Sequence, residues 1–232
     1  MIVIPSIDLT GGRSRLVWWP GASSGSGAPT DRPELIAARL VDAGARQLHL
    51  VDFDGARAGQ PGNLEAIARV AERVAVPLQV AGGLESADAI RLAFAAGATR
   101  AVLSLAIADR PDELRECLAV AGDWLAVGLD PRPERLAAFP WRRAEVPTPQ
   151  ALLGELMTAG VRRFVLSHGG GGDVTRLAAL AGTYDAEFLV AGGVAGVADL
   201  APLREAGVAG VILGEPLFSG AIDLPTALET AA

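Results

Sequence analysis

Residues 76–108 read VPLQVAGGLESADAIRLAFAAGATRAVLSLAIA, and residues 186–218 read AEFLVAGGVAGVADLAPLREAGVAGVILGEPLF. Each run passes from a short apolar stretch through a Gly-Gly pair into a segment with apolar residues at helical spacing, then into a second apolar stretch. The VAGG tetrads begin at Val80 and Val190. Upstream of each lies a further matching pair, LVDAGARQLHLVDFDG at 40–55 and LMTAGVRRFVLSHGGG at 156–171. Order and spacing both recur, so the chain reads as two copies of one half, each with four strand–helix units.

Working outward, the same alternation continues to both ends. Strands are expected near 2–7, 47–52, 78–81, 101–104, 125–130, 164–167, 188–191 and 210–213. Helices are expected near 33–43, 64–74, 87–96, 112–121, 149–159, 175–181, 197–206 and 224–231. Strands that alternate with helices of this length pair in parallel. Continuous apolar strands such as AVLSLA and VILG are those of a sheet covered on both faces. Eight units in 232 residues therefore predict a single-domain (β/α)₈ TIM barrel over 1–232, with an internal half-barrel repeat. Two irregular stretches interrupt it. The Gly/Ser/Pro-rich run WWPGASSGSGAPTDRP, 18–33, is long for a connection between a strand and a helix. Its tryptophans either cover a ligand or pack on the barrel rim. The second stretch, 131–147, follows the fifth strand and contains Trp141.

Composition narrows the function classes. Half the residues are apolar and 20% are charged, enough to bury one large core. No uninterrupted apolar run approaches the length of a membrane-spanning helix. The opening MIVIPSIDLTGG has neither a basic leader segment nor a small-residue cleavage site, so no secretory signal is expected. The only cysteine, Cys117, leaves no internal disulfide and no multi-cysteine metal site, and fits a reducing, cytoplasmic setting. No His/Cys spacing suits a metal, and no GxGxxG or Walker loop suits a nucleotide cofactor. The net charge is −7 with no basic run, which excludes the electrostatic footprint of a nucleic-acid binder. An anionic substrate would need local positive potential. A monomer acting on a small molecule is expected.

Active sites of such barrels sit at the C-terminal ends of the strands. Asp8 ends the first strand and Asp130 the fifth, equivalent places in the two halves. Two acids facing across the mouth suit paired acid and base work, provided their surroundings separate their pKa values. Asp52 and Asp54, in LVDFDGA, end the second strand and either orient this pair, bind a sugar hydroxyl or cap the next helix. Gly82–Gly83 and Gly192–Gly193 stand where a strand gives way to a loop and helix. Glycine there lets backbone N–H groups approach a phosphate. Two such pairs in matching halves predict two phosphate sites on opposite sides of the mouth, with Gly214 completing the second. His168 follows the sixth strand, before the run Gly169–Gly172 and Asp173. It reads as an acid/base group, a phosphate ligand or a solvated loop residue, and His49 reads as packed within its strand.

The stretches IPSIDLTGGRSRLV, AGARQLHLVDFDGARAGQPGN, VAGGLESADAI, VGLDPRP and AGVILGEPLFSG resemble, in order and spacing over nearly the whole chain, the HisA family of histidine-biosynthesis isomerases, the ProFAR isomerases. The resemblance implies an Amadori rearrangement of a phosphoribosyl aminoaldose to an aminoketose, with no cofactor or metal. The substrate carries a phosphate at each end. On this resemblance Asp8 is the general base, Asp130 the general acid, Ser167 an assisting hydroxyl and Trp141 a ring that stacks on the imidazole.

The departures from that pattern fall on loops. Where the family has GGIR or GGVR, this chain has Gly82-Gly83-Leu84-Glu85, and an acid there repels phosphate unless it points away. The family's Gly-Thr after the fourth strand is Ser104-Leu105, which keeps Ser104 among the substrate-binding residues with one hydroxyl contact shifted or lost. The usual TDIxRDGT becomes 167–173, SHGGGGD, without the arginine. These departures motivate two other readings: a related isomerase with altered or dual specificity that includes phosphoribosylanthranilate, and a non-catalytic protein that binds a phosphoribosyl ligand.

Overall fold

The computed structural model describes residues 1–18, 28–142, 144–167 and 174–232, with the side chains of 174–176 left aside. Eight parallel strands run in sequence order around a closed sheet: β1 (Ile2–Thr10), β2 (Leu48–Asp52), β3 (Leu78–Ala81), β4 (Arg100–Leu103), β5 (Leu125–Leu129), β6 (Arg163–Ser167), β7 (Glu187–Ala191) and β8 (Gly210–Leu213). β8 pairs back onto β1, Ile2 with Gly210 through Pro5 with Leu213, and the ring is complete. Helices follow the strands on the outside, among them Pro33–Asp42, Leu64–Arg73, Ala87–Ala95, Pro111–Ala121, Pro149–Thr158 and Leu224–Ala231. The eight-stranded barrel expected from the repeat is the one observed.

Side-chain alternation divides the core into two layers. Ile4, Val102, Ala126, Val165, Leu189 and Ile212 point inward and fill the barrel. Val3, Ile7, Leu9, Leu48, Leu50, Phe164, Leu166 and Phe188 point outward into the layer beneath the helices. Phe164 and Phe188 stack there across neighbouring strands, 5.4 Å apart. Helix starts follow the side chains available. Ser86, Thr148 and Asp223 each accept a backbone N–H of the first turn, and Pro stands in the first turn of the helices at Pro33, Pro111, Pro149 and Leu224.

Three elements differ from the sequence reading. β1 continues to Thr10, because the turn at Gly11–Gly12 folds Arg13–Ser14 back as an antiparallel partner of Leu9–Thr10; Asp8 therefore lies within the strand rather than at its end. A short helix, Phe53–Ala58, starts directly after β2, so Asp54 belongs to that helix. The stretch after β5, expected to be irregular, holds the helix Pro133–Ala137. Of the two tryptophans opening the run 18–33, Trp18 is fully buried, edge-on to Phe218 at 5.3 Å, which is the rim-packing alternative; Trp19 lies outside the described residues.

Gly82 shows how tightly the strand ends are assembled. Its φ is +99°, and a Cβ there would fall 2.1 Å from the Asp52 carbonyl oxygen, an atom fixed in the backbone. Gly82→Ala is expected to lower unfolding stability by about 3 kcal/mol or more, since a strained left-handed residue alone costs about 1–3 kcal/mol. Urea denaturation of parent and variant measures this; equal midpoints would contradict the close approach.

Candidate active site

Alternation along the strands decides which candidate residues face the mouth. On β1, Ile4 points into the barrel, and Ser6 and Asp8 share its parity. On β6, Ser167 shares the parity of Val165, and after β4 Ser104 shares that of Val102. Asp130, one residue past β5, shares the parity of Ala126. Asp52 has the opposite parity, that of Leu48 and Leu50, and turns toward the helices. It is fully buried: Oδ1 accepts from the Gly55 N–H and Asn63 Nδ2, and Oδ2 from the N–H groups of Gly62 and Asn63, at 2.6–2.9 Å. Of the roles open to it from sequence, the structure gives it capping. Asp54 accepts from the Gly11 N–H at 2.7 Å and from Asn63, joining the same brace.

At the C-terminal ends of β1, β2, β6, β7 and β8 lies a cleft of about 720 Å³. Asp8, Ser167, Gly192, Gly193 and Gly214 all line it, with Ser6, His49, Phe53 and Glu215 beside them. The second glycine pair thus opens on the same space as the β1 aspartate. Burial pushes the Asp8 carboxyl up, against the opposing charge of Arg15 and a 3.4 Å hydrogen bond from Ser6 Oγ. Asp130 goes the other way. Burial raises it too, but hydrogen bonds and charge from Arg132, with Arg135 behind, hold the carboxyl below its ordinary value. The environments separate the two acids, leaving Asp130 the more readily ionised of the pair. Among the described residues no cluster of His, Cys, Asp and Glu could hold a metal ion, and no helix is long and apolar enough to cross a membrane.

A barrel with this mouth is built by many unrelated enzymes, and comparison with known sequences narrows it. A family model described as histidine biosynthesis protein matches residues 2–223. The chain belongs to that family. A protein of Synechococcus sp. is 35% identical over 99% of this chain and 93% of its own length. One of Moorella thermoacetica is 33% identical over 100% and 99%, and one of Chloroflexus aggregans 31% identical over 100% and 98%. All three are named 1-(5-phosphoribosyl)-5-((5-phosphoribosylamino)methylideneamino)imidazole-4-carboxamide isomerase.

Among the described residues the remaining candidates, Asp130 included, lie outside the cleft's lining. Gly82 and Gly83 pack against the backbone of Asp52, Gly55 and Gln60. Ser104 caps the short helical turn Leu105–Asp109 and donates to Glu85 at 3.4 Å. Glu85, the acid in a phosphate-loop position, is tied to Arg110 at 3.0 Å, which neutralises the repulsion that its sequence position implies. Trp141 donates its indole N–H to the Leu136 carbonyl at 2.7 Å and packs on Phe139, so in this conformation its ring is engaged within its own loop. His168 and Asp173 lie outside the described residues.

The structure adds residues that the sequence reading did not select. Arg15 is returned toward Asp8 by the Gly11–Gly12 turn; its backbone N–H donates to the Asp8 carbonyl and its guanidinium lies 4.1 Å over the Phe53 ring. His49 is buried yet lines the cleft, with Gln79 Nε2 3.0 Å from its Nδ1, and burial lowers its pKa to about 4, leaving a neutral imidazole. Inward parity along HLVD was the available signal for His49; nothing local in GGRSR announces Arg15.

The raised pKa of Asp8 carries a stability cost with a definite sign. A carboxyl raised above its unfolded value, near 3.8, favours folding only below that value, and the favour is lost as pH rises through the folded pKa. Asp8→Asn is therefore expected to unfold at a higher temperature than the parent at pH 7, with the difference closing near pH 3. Thermal melts at both pH values test this; a variant less stable at pH 7 would show that Asp8 is held by interactions stronger than its burial.

Proposed function

We propose that this protein is the aldose–ketose isomerase of histidine biosynthesis that converts the aminoaldose ProFAR to the aminoketose PRFAR. The observation that carries this reading is the gathering of Asp8, Ser167, Gly192, Gly193 and Gly214 on one cleft at the strand ends, in a chain whose relatives bear that isomerase name.

The rearrangement moves only protons and bonding pairs. Asp130 donates a proton to the furanose ring oxygen; the C1′–O bond breaks, and the nitrogen lone pair closes a C=N bond to give a protonated Schiff base. Asp8 removes the C2′ proton. The freed pair forms the C1′–C2′ double bond and neutralises the nitrogen, giving an enolamine. Proton transfer from the C2′ hydroxyl to C1′ yields the ketone. A carboxylate whose burial raises its pKa is the stronger base, which suits Asp8 to the C2′ step. The Ser167 hydroxyl, which lines the same cleft, assists by holding a sugar oxygen. Backbone N–H groups around Gly192, Gly193 and Gly214 take one phosphate, and the opposite rim at Gly82, Gly83 and Ser104 takes the other. Arg15 supplies local positive charge against a net charge of −7.

A histidine auxotroph lacking this isomerase is expected to grow when given the parent gene and not when given Asp8→Asn. With purified protein, Asp8→Asn should lose about 10²–10⁴-fold in kcat, the range supplied by a positioned acid or base, with KM near the parent value. Ser167→Ala should lose less. Gly193→Asp should act on KM, because a carboxylate there repels phosphate. A folded parent that fails to restore growth, while rescuing a strain lacking phosphoribosylanthranilate isomerase, would replace this substrate with the smaller one.

A further inference from the structure

We infer that Arg132 is a positioning residue that clamps Asp130 out of reaction in the unliganded protein and releases it when a phosphorylated substrate enters the mouth; the inference rests on the isomerase reading above. The sequence around the acid is Asp130-Pro131-Arg132-Pro133. Asp130 Oδ1 accepts from Arg132 Nε at 2.9 Å and from the Arg132 backbone N–H at 3.2 Å, and Oδ2 accepts from Nη2 at 2.6 Å. Both oxygens are thus turned to a guanidinium only two residues away, in the side-on geometry that guanidinium and carboxylate favour. A general acid must carry a proton on one oxygen and aim it at substrate. Here an N–H occupies that position on each oxygen, so Asp130 is held ionised and aimed back into its own loop.

The clamp is built into the backbone. Pro131 and Pro133 fix the chain on either side of Arg132, and Arg132 is the residue that opens the helix Pro133–Ala137. The two side chains are only 21% and 22% exposed, so solvent screens the pair incompletely. Among the described residues the charged groups that face Asp130 are Arg132 and Arg135, the latter 3.5 Å away, and Glu134 stands 4.0 Å from Arg132 Nε. Burial by itself favours the protonated acid, and the two guanidinium groups reverse that preference. Removing Arg132 from the carboxylate therefore returns Asp130 toward a proton donor. A phosphate is the competitor chemically suited to do this, since it offers a guanidinium the same forked contact with more charge. Glu134 offers a second resting place for the freed side chain.

The test is a pair of pH profiles with the aminoaldose substrate, for the parent, Arg132→Gln and Arg132→Lys. The profile of kcat/KM reports groups in the free enzyme, and that of kcat reports those in the complex. The limb of kcat/KM that Asp130 sets is expected to move to higher pH in Arg132→Gln, with the kcat limbs unmoved because substrate has already opened the clamp in the parent. Arg132→Lys keeps the charge without the fork and should lie between; it also serves if the Gln variant does not fold. Limbs that move together in both profiles would mean that Arg132 stays on Asp130 during turnover, and limbs that move in neither would mean that it does not govern the acid; either overturns the inference. A parent without isomerase activity would instead overturn the function on which the inference rests.

Discussion

Closure of the sheet between the first and last strands is the constraint on which the site depends. Ile2–Pro5 must lie against Gly210–Leu213, and the two come from opposite ends of the chain. At the seam a Cβ on Gly210 would meet the side chains of Ile2 at 2.6 Å and Leu189 at 2.9 Å, so any side chain there would have to displace both. Once the ring is shut, every inward position belongs to one shared interior. Asp8 from β1 and Gly192, Gly193 and Gly214 from the far end of the sequence then line the same cleft. In an open sheet of the same strands, β1 and β8 would be edge strands with these groups far apart.

The barrel interior holds an apolar layer with polar groups toward both ends. The layer of Ile4, Val102, Ala126, Val165, Leu189 and Ile212 carries the packing, and Ser6, His49 and Gln79 lie among the inward polar side chains. At the strand starts Glu187 pairs with Arg100 at 3.3 Å and Arg163 at 2.5 Å, so the barrel's other end is bound by ion pairs. Between the two ends a polar chain runs through the interior, from Glu187 and Arg100 through Gln79 to His49 at the cleft. Burial raises the pKa of Asp8, whereas Asp130, at the edge of its loop, is governed by the guanidinium groups its own loop supplies. Two aspartates in equivalent places of a duplicated half thus acquire different proton affinities from their surroundings.

Much of this was legible in the sequence because repeat and periodicity are local properties. The paired VAGG runs and the alternation of apolar strands with helical segments determined eight units and a parallel closed sheet, and β3, β8 and the final helix fall at the expected residues. Asp8, Ser167 and the glycines at 192, 193 and 214 were likewise visible as candidates, since nearness to the C-terminal end of a strand is a one-dimensional fact, although β1 runs two residues past Asp8. Tertiary structure alone decided which of these shares a space with which. Asp52 is one residue out of phase with His49 and Val51, so the pleat turns it to the helix layer, while His49, read as packed, faces the cleft. The pairing of Glu85 with Arg110, 25 residues on, neutralises an acid that sequence alone sets against phosphate. The state of Asp130 depends on where one guanidinium lies, and that is a matter of angles and distances of a few ångströms, which residue order does not encode directly.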